Sequence, residues 1–126
     1  MSEWPDYFPD NTPPVDATPA SGLSFRLVDN NPPERSDFKS TCEEFAKRKY
    51  TSESEFINAC GTSHFAQLDD IKRKKRLFPK LRNKHIAKGE LFPELGKMKQ
   101  TFEPSHFTVW YKLSALPQMV FVVMES

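Results

Sequence analysis

The nine residues from Ser105 to Leu113 (SHFTVWYKL) alternate in the two-residue period of a strand. Phe107, Val109, Tyr111 and Leu113 fall on one face, and His106, Thr108, Trp110 and Lys112 on the other. A strand that is apolar on one side and carries a tryptophan on the other admits two readings. Either a helix covers the second side and Trp110 sits in a small core, or the His-Thr-Trp row lines a polar cleft. Both require a sheet, and the rest of the chain supplies its neighbours. Leu23 to Val28 (LSFRLV) sets Phe25 and Leu27 against Ser24, Arg26 and Val28; Lys84 to Leu91 looks extended, with Gly89 weakening it. Met119 to Met124 (MVFVVM) is a continuous apolar run and reads as a buried strand.

Helices are expected mainly in the first half. Ser36 is a suitable cap for a helix running to about Lys49, supported by Glu43–Lys47 and Glu44–Arg48 pairs. A second, shorter helix begins at Ser52, with Glu55 three residues on and Gly61 where a C-terminal cap belongs. A third runs from Leu68 to Phe78 and is stopped by Pro79. Helices early and strands late give an α+β class: one domain over residues 23–126 with an antiparallel or mixed sheet built largely from the second half. Residues 1–22 contain five prolines and four acidic residues but no Lys or Arg, and read as a disordered acidic tail. Such a tail serves as a solubilising linker, folds back on a basic face, or docks through Trp4, Tyr7 and Phe8.

No apolar stretch approaches the roughly 18 residues of a membrane span. No basic region followed by an apolar run opens the chain, so no secretory signal is expected. Two cysteines, Cys42 and Cys60, then suggest free thiols in a reducing cytoplasm. Their spacing to His64, His85 and His106 matches no metal-ligand pattern, and four glycines leave no phosphate-cradling loop. No metal and no cofactor is expected. The oligomeric state is left open.

Charge is concentrated where the total hides it. Nine of the seventeen residues from Lys72 to Lys88 are Lys or Arg and none is acidic, in a chain of formal net charge +1. On the third helix Lys72, Arg73 and Arg76 point away from the apolar side, and Arg82 and Lys84 follow Pro79. These five residues are the candidate contact set for an anionic partner, a nucleic acid or an acidic protein surface. The plainer reading is a solvated helix face.

Several segments also resemble a small uncharacterised bacterial domain family with the same element order: FRLV, PPERSDFKS, GTSHFAQLDDI, IAKGEL and SHFTVWY. More distantly, an Arg on a first strand, a G-x-S element before a helix and a late polar strand residue resemble ADP-ribosyltransferase-like domains. That resemblance implies a dinucleotide-phosphate role for Arg26 and a bracing role for Ser63. His106 stands where such domains carry a Glu, with Glu90 and Glu103 outside the matching position. The sequence therefore sets a non-catalytic binding domain working through its basic helix against a nucleotide- or NAD-handling enzyme with Arg26, Ser63 and His106 in one cleft. A partner-docking inhibitory or accessory protein of bacterial or phage origin is the third option.

Overall fold

A computed structural model describes residues 3–124. Seven antiparallel strands form one sheet: β1 (Thr18–Pro19), β2 (Gly22–Val28), β3 (Thr62–Phe65), β4 (His85–Leu91), β5 (Gly96–Gln100), β6 (His106–Tyr111) and β7 (Val122–Val123). Their order across the sheet is β1-β5-β6-β3-β2-β4-β7. Three helices, α1 (Thr41–Glu44), α2 (Glu53–Ala59) and α3 (Leu68–Leu77), lie between strands along the chain rather than ahead of them. The α+β class holds, but the fold is strand-rich and draws β1 and β2 from the first half, with β3 at the middle of the chain. None of the helices is long and apolar enough to cross a membrane.

Both sides of the sheet are covered. On the helix side, Phe25 and Phe65 pack with Ile71 of α3, and Trp110 packs with Ala17, Ile57 and Cys60. Trp110 is fully buried and donates its indole N–H to the Ile57 carbonyl at 2.8 Å, so α2 covers it. The opposite, loop side holds the largest core, with Val28, Ala87, Leu91 and Val109 under Phe38 and Phe121. Gly96 makes the turn into β5 at φ 149°, where a Cβ would stand 1.9 Å from the Trp110 carbonyl oxygen. Only glycine fits that position.

The helix expected from Ser36 to Lys49 is broken. Arg35–Phe38 forms a 3-10 turn, and the true cap is Ser40, whose hydroxyl accepts from the Glu43 amide while Glu43 accepts from the Ser40 amide. Asp37 explains the break. Its carboxylate accepts from the amides of Asp29 at 2.7 Å and Glu34 at 2.9 Å and from the Asn30 side chain at 3.1 Å, tying this turn to the end of β2. Met119–Met124 is not a buried strand. A 3-10 turn ends at Met119, β7 is two residues long at the sheet edge, and Met119 and Val122 are exposed while Phe121 is buried. An edge strand has only one neighbour, so one side of the run meets solvent.

Residues 3–22 are packed rather than disordered. Trp4 and Phe8 lie against the Trp110 cluster with their rings 6.1 Å apart, and Tyr7 donates to Ser40 at 2.9 Å. Glu3 pairs with Lys112 at 3.4 Å, Asp16 with Lys99 at 2.8 Å, and Thr18–Pro19 adds a strand beside β5. Trp4 and Phe8 outweigh the proline content because the Trp110 cluster offers them a surface to cover. None of these contacts touches α3, and Glu3 and Asp16 find their cations at Lys112 and Lys99 instead. Trp4→Ala and Phe8→Ala should each lower unfolding stability in urea by about 1–3 kcal/mol; a loosely attached segment would leave the midpoint unchanged.

Candidate functional site

Two regions place chemistry-bearing side chains together. The first is on the loop side, where three neighbouring strands each contribute a polar residue to an otherwise apolar surface. Ser24 and Arg26 come from β2, His64 from β3 and Tyr111 from β6. His64 is fully buried, with Nδ1 3.1 Å from Ser24 Oγ and Nε2 2.9 Å from the Tyr111 hydroxyl. Burial, then the Arg26 and His106 charges, hold its pKa well below the ordinary 6.5. It is therefore neutral, with one N–H and one lone pair, and the chain of bonds runs in a single direction through it. Burial likewise pushes the Tyr111 phenol far up, so it stays protonated despite the nearby Arg26.

Arg26 donates from Nε to the Asp37 carbonyl and from Nη1 to the Ser63 carbonyl, both at 2.8 Å, and its guanidinium stands 5.8 Å from the Phe38 ring centre. Burial lowers its pKa, opposed by Tyr111, Glu44, Asp37 and Asp29. Beside it is a small polar groove lined by Asp29, Asp37, Glu43, Glu44 and Lys84. A larger groove of about 540 Å³ runs from Phe38 and Tyr111 to Ser40, Glu43 and Lys112, and Tyr7 and Phe8 form part of its wall.

Arg26, Ser63 and His106 do not converge. Arg26 faces the loop side with Val28, whereas Ser63 alternates with His64 and points to the helix side. His106 is on the helix side too, its ring 5.2 Å from Phe65. There it is buried, with Nδ1 3.0 Å from Thr101 Oγ1, and burial lowers its pKa. Only the Ser63 carbonyl meets Arg26. The residues that do cluster, Ser24, His64 and Tyr111, share the loop face of three adjacent strands without sharing one row, since His64 stands opposite Phe107, and a single-strand reading does not detect them.

The second region is the basic helix. Asp69 and Asp70 occupy its first turn and Lys74, Lys75 and Arg76 its last, in line with the helix dipole. Arg73 pairs with Asp70 at 3.5 Å and Lys74 with Glu103 at 3.6 Å. Lys84 donates to Asp29 at 2.9 Å and belongs to the Arg26 groove, not to the basic face. Lys72, Arg76, Lys80 and Arg82 are exposed and form no ion pair among the described residues. The turn after Pro79 folds back, so that Arg82 Nε donates to the Arg76 carbonyl at 3.3 Å.

Cys42 and Cys60 are free thiols, and burial pushes Cys60 up to about 12, which leaves it unreactive. Among the described residues no group of three His, Cys, Asp or Glu side chains could hold a metal ion. No family model, curated protein or solved structure matches the chain.

The buried imidazole makes stability depend on pH. Below about 6.5 the unfolded chain takes up a proton that folded His64 refuses, so stability falls as pH falls. His106 acts with the same sign and more weakly. Between pH 6.5 and 5, His64→Gln should remove a slope that rises from about 0.7 towards about 1.4 kcal/mol per pH unit from the unfolding free energy. Chemical denaturation at several pH values checks this; an unchanged slope would show that His64 titrates normally in the fold.

Proposed function

We propose that this protein binds an anionic polymer through the outer face of α3 and the turn that follows it, without catalysis. One observation carries the reading: Lys72, Arg76, Lys80 and Arg82 are exposed and form no ion pair among the described residues, with Arg82 folded back onto the end of the helix. Like charges held close repel one another, and an anion laid across them relieves the repulsion. The Arg26 groove lacks this character. Asp29, Asp37, Glu43 and Glu44 line it, so a phosphate entering there meets carboxylates as well as the guanidinium.

Contacts of this kind go to phosphates or carboxylates and read little sequence. A fluorescent nucleic-acid duplex titrated at rising salt should lose affinity with a log–log slope near −0.9 per neutralised phosphate, about −4 for four cations. Arg76→Ala with Arg82→Ala should flatten that slope by about 2. No binding at low salt, or affinity indifferent to salt, would end the proposal.

A second reading rests on the larger groove, whose volume of about 540 Å³ is that of a small-molecule site and whose wall includes Tyr111, held by His64. On this reading a nucleotide lies there, with Arg35, Lys39 and Lys112 as its cations. Saturating NAD or ATP should then raise the melting temperature, since a ligand at a hundred times its Kd adds about 2.7 kcal/mol. An unshifted melting curve excludes it.

A further inference from the structure

The chain between α1 and α2 carries a second group of cations. Phe45, just past α1, has φ −117° and ψ 62°, outside the helical range, so no helix continues to Lys49. The Glu43–Lys47 and Glu44–Arg48 pairs of a longer helix are therefore not made, and Lys47, Arg48 and Lys49 are exposed with no ion pair among the described residues. The acids nearest in sequence are engaged elsewhere. Glu43 accepts from Ser40 and Tyr7, Glu53 from Asn11 and Glu55 from Thr51, all neutral donors, while Glu44 lines the Arg26 groove. Arg48 and Phe45 share one turn: the Arg48 amide donates to the Phe45 carbonyl at 2.9 Å, and the guanidinium lies 4.4 Å from the Phe45 ring centre. Phe45 is 46 % exposed, so this ring and this cation stand together at the surface. A cation–π contact holds the guanidinium without supplying a carboxylate or carbonyl to its N–H groups.

We infer that the Phe45–Lys49 loop is a second contact for the anionic polymer and that this polymer is a nucleic acid held by its phosphates, which rests on the anionic-polymer reading for the partner but on none of the α3 residues. Three consecutive residues keep their Cα atoms within about 7 Å. A duplex carries one phosphate charge per about 1.7 Å of axis, so cations this close meet phosphates at any register along it. An acidic protein surface presents its carboxylates at fixed points and has to match the loop in pattern. Arg48, already oriented by Phe45, takes a phosphate through two parallel N–H bonds, and Lys47 and Lys49 act as point charges beside it.

The test is the salt dependence of binding to a fluorescent duplex, with polyglutamate as a second probe. The four cations of α3 and its turn with the three of the loop give a parent log–log slope near −6. Lys47→Ala/Arg48→Ala/Lys49→Ala should flatten it by about 2.7. Arg48→Lys should keep the slope and weaken binding about fivefold, because the charge stays and the paired N–H bonds are lost. Melting curves accompany each titration; a triple variant that melts early is replaced by Lys47→Ala/Lys49→Ala, which keeps the Arg48–Phe45 contact and should flatten the slope by about 2. Loop variants with the parent's slope overturn the inference, and the α3 reading stands if Arg76→Ala/Arg82→Ala still flattens it. If only the loop variants flatten the slope, the loop is the contact and the α3 reading falls. Polyglutamate bound more tightly than duplex, and lost in the loop variants, assigns the loop to an acidic protein and overturns the inference.

Discussion

The guanidinium of Arg26 joins the two halves of a divided sheet. Between β2 and β4 seven residue pairs stand in register, and between β5 and β6 five, but β2 and β3 share only Phe25 with Phe65. Across that narrow junction Arg26 reaches the Ser63 carbonyl, and with its other edge it holds the Asp37 carbonyl in the turn after β2. The Ser24–His64 bond crosses the same junction. On the helix side Phe25, Phe65 and Ile71 close it. Burying a guanidinium is unfavourable unless its N–H groups find acceptors, and two carbonyls in fixed positions supply them. Lys offers a point charge without the planar fork that reaches both.

Asp37 makes the clamp effective. Burial alone would raise its pKa; the amides of Glu34 and Asp29 and the Asn30 side chain outweigh burial and lower it, so the carboxylate stays charged and the turn stays seated on β2. The Asp37 carbonyl is thereby fixed where Arg26 finds it. An arginine committed to two backbone carbonyls is a structural element first. The carboxylates of Asp29, Asp37 and Glu44 around it make its environment close to balanced rather than cationic. Arg26 and Ser63 thus meet through backbone rather than through their two side chains. Ser63 contributes its carbonyl to Arg26 and turns its side chain to the other side of the sheet.

Periodicity made the long strands and two of the helices legible. Alternation in SHFTVWY separated Val109 and Tyr111 from Thr108 and Trp110, and Ser52 does cap α2 by accepting from the Glu55 amide at 3.1 Å. What stayed hidden depends on partners distant in sequence. Proline and acid content suggested a loose tail, because nothing in residues 3–22 reveals that Trp110 lies ready to receive Trp4 and Phe8. Asp37 reads as one more helix residue until the end of β2 stands beside it. His64 looked like a poor metal ligand, and its link to Ser24 and Tyr111 follows only from the order β6-β3-β2.

The basic run divides along physical lines. Lys74, Lys75 and Arg76 in the last turn of α3 are favoured by the helix dipole, and Arg73 and Lys74 have acidic partners, so fold stability accounts for much of their charge. Lys84 is accounted for by Asp29. Lys72, Lys80 and Arg82 are not: they lie outside the last turn and form no ion pair among the described residues. Lys72 and Arg76, one turn apart, share the flank of α3 that faces away from the Asp70–Lys74 flank, where the loop between β5 and β6 docks. Exposed charges that stability does not explain, one turn apart on the same helix flank, are the pattern a binding face leaves in a fold.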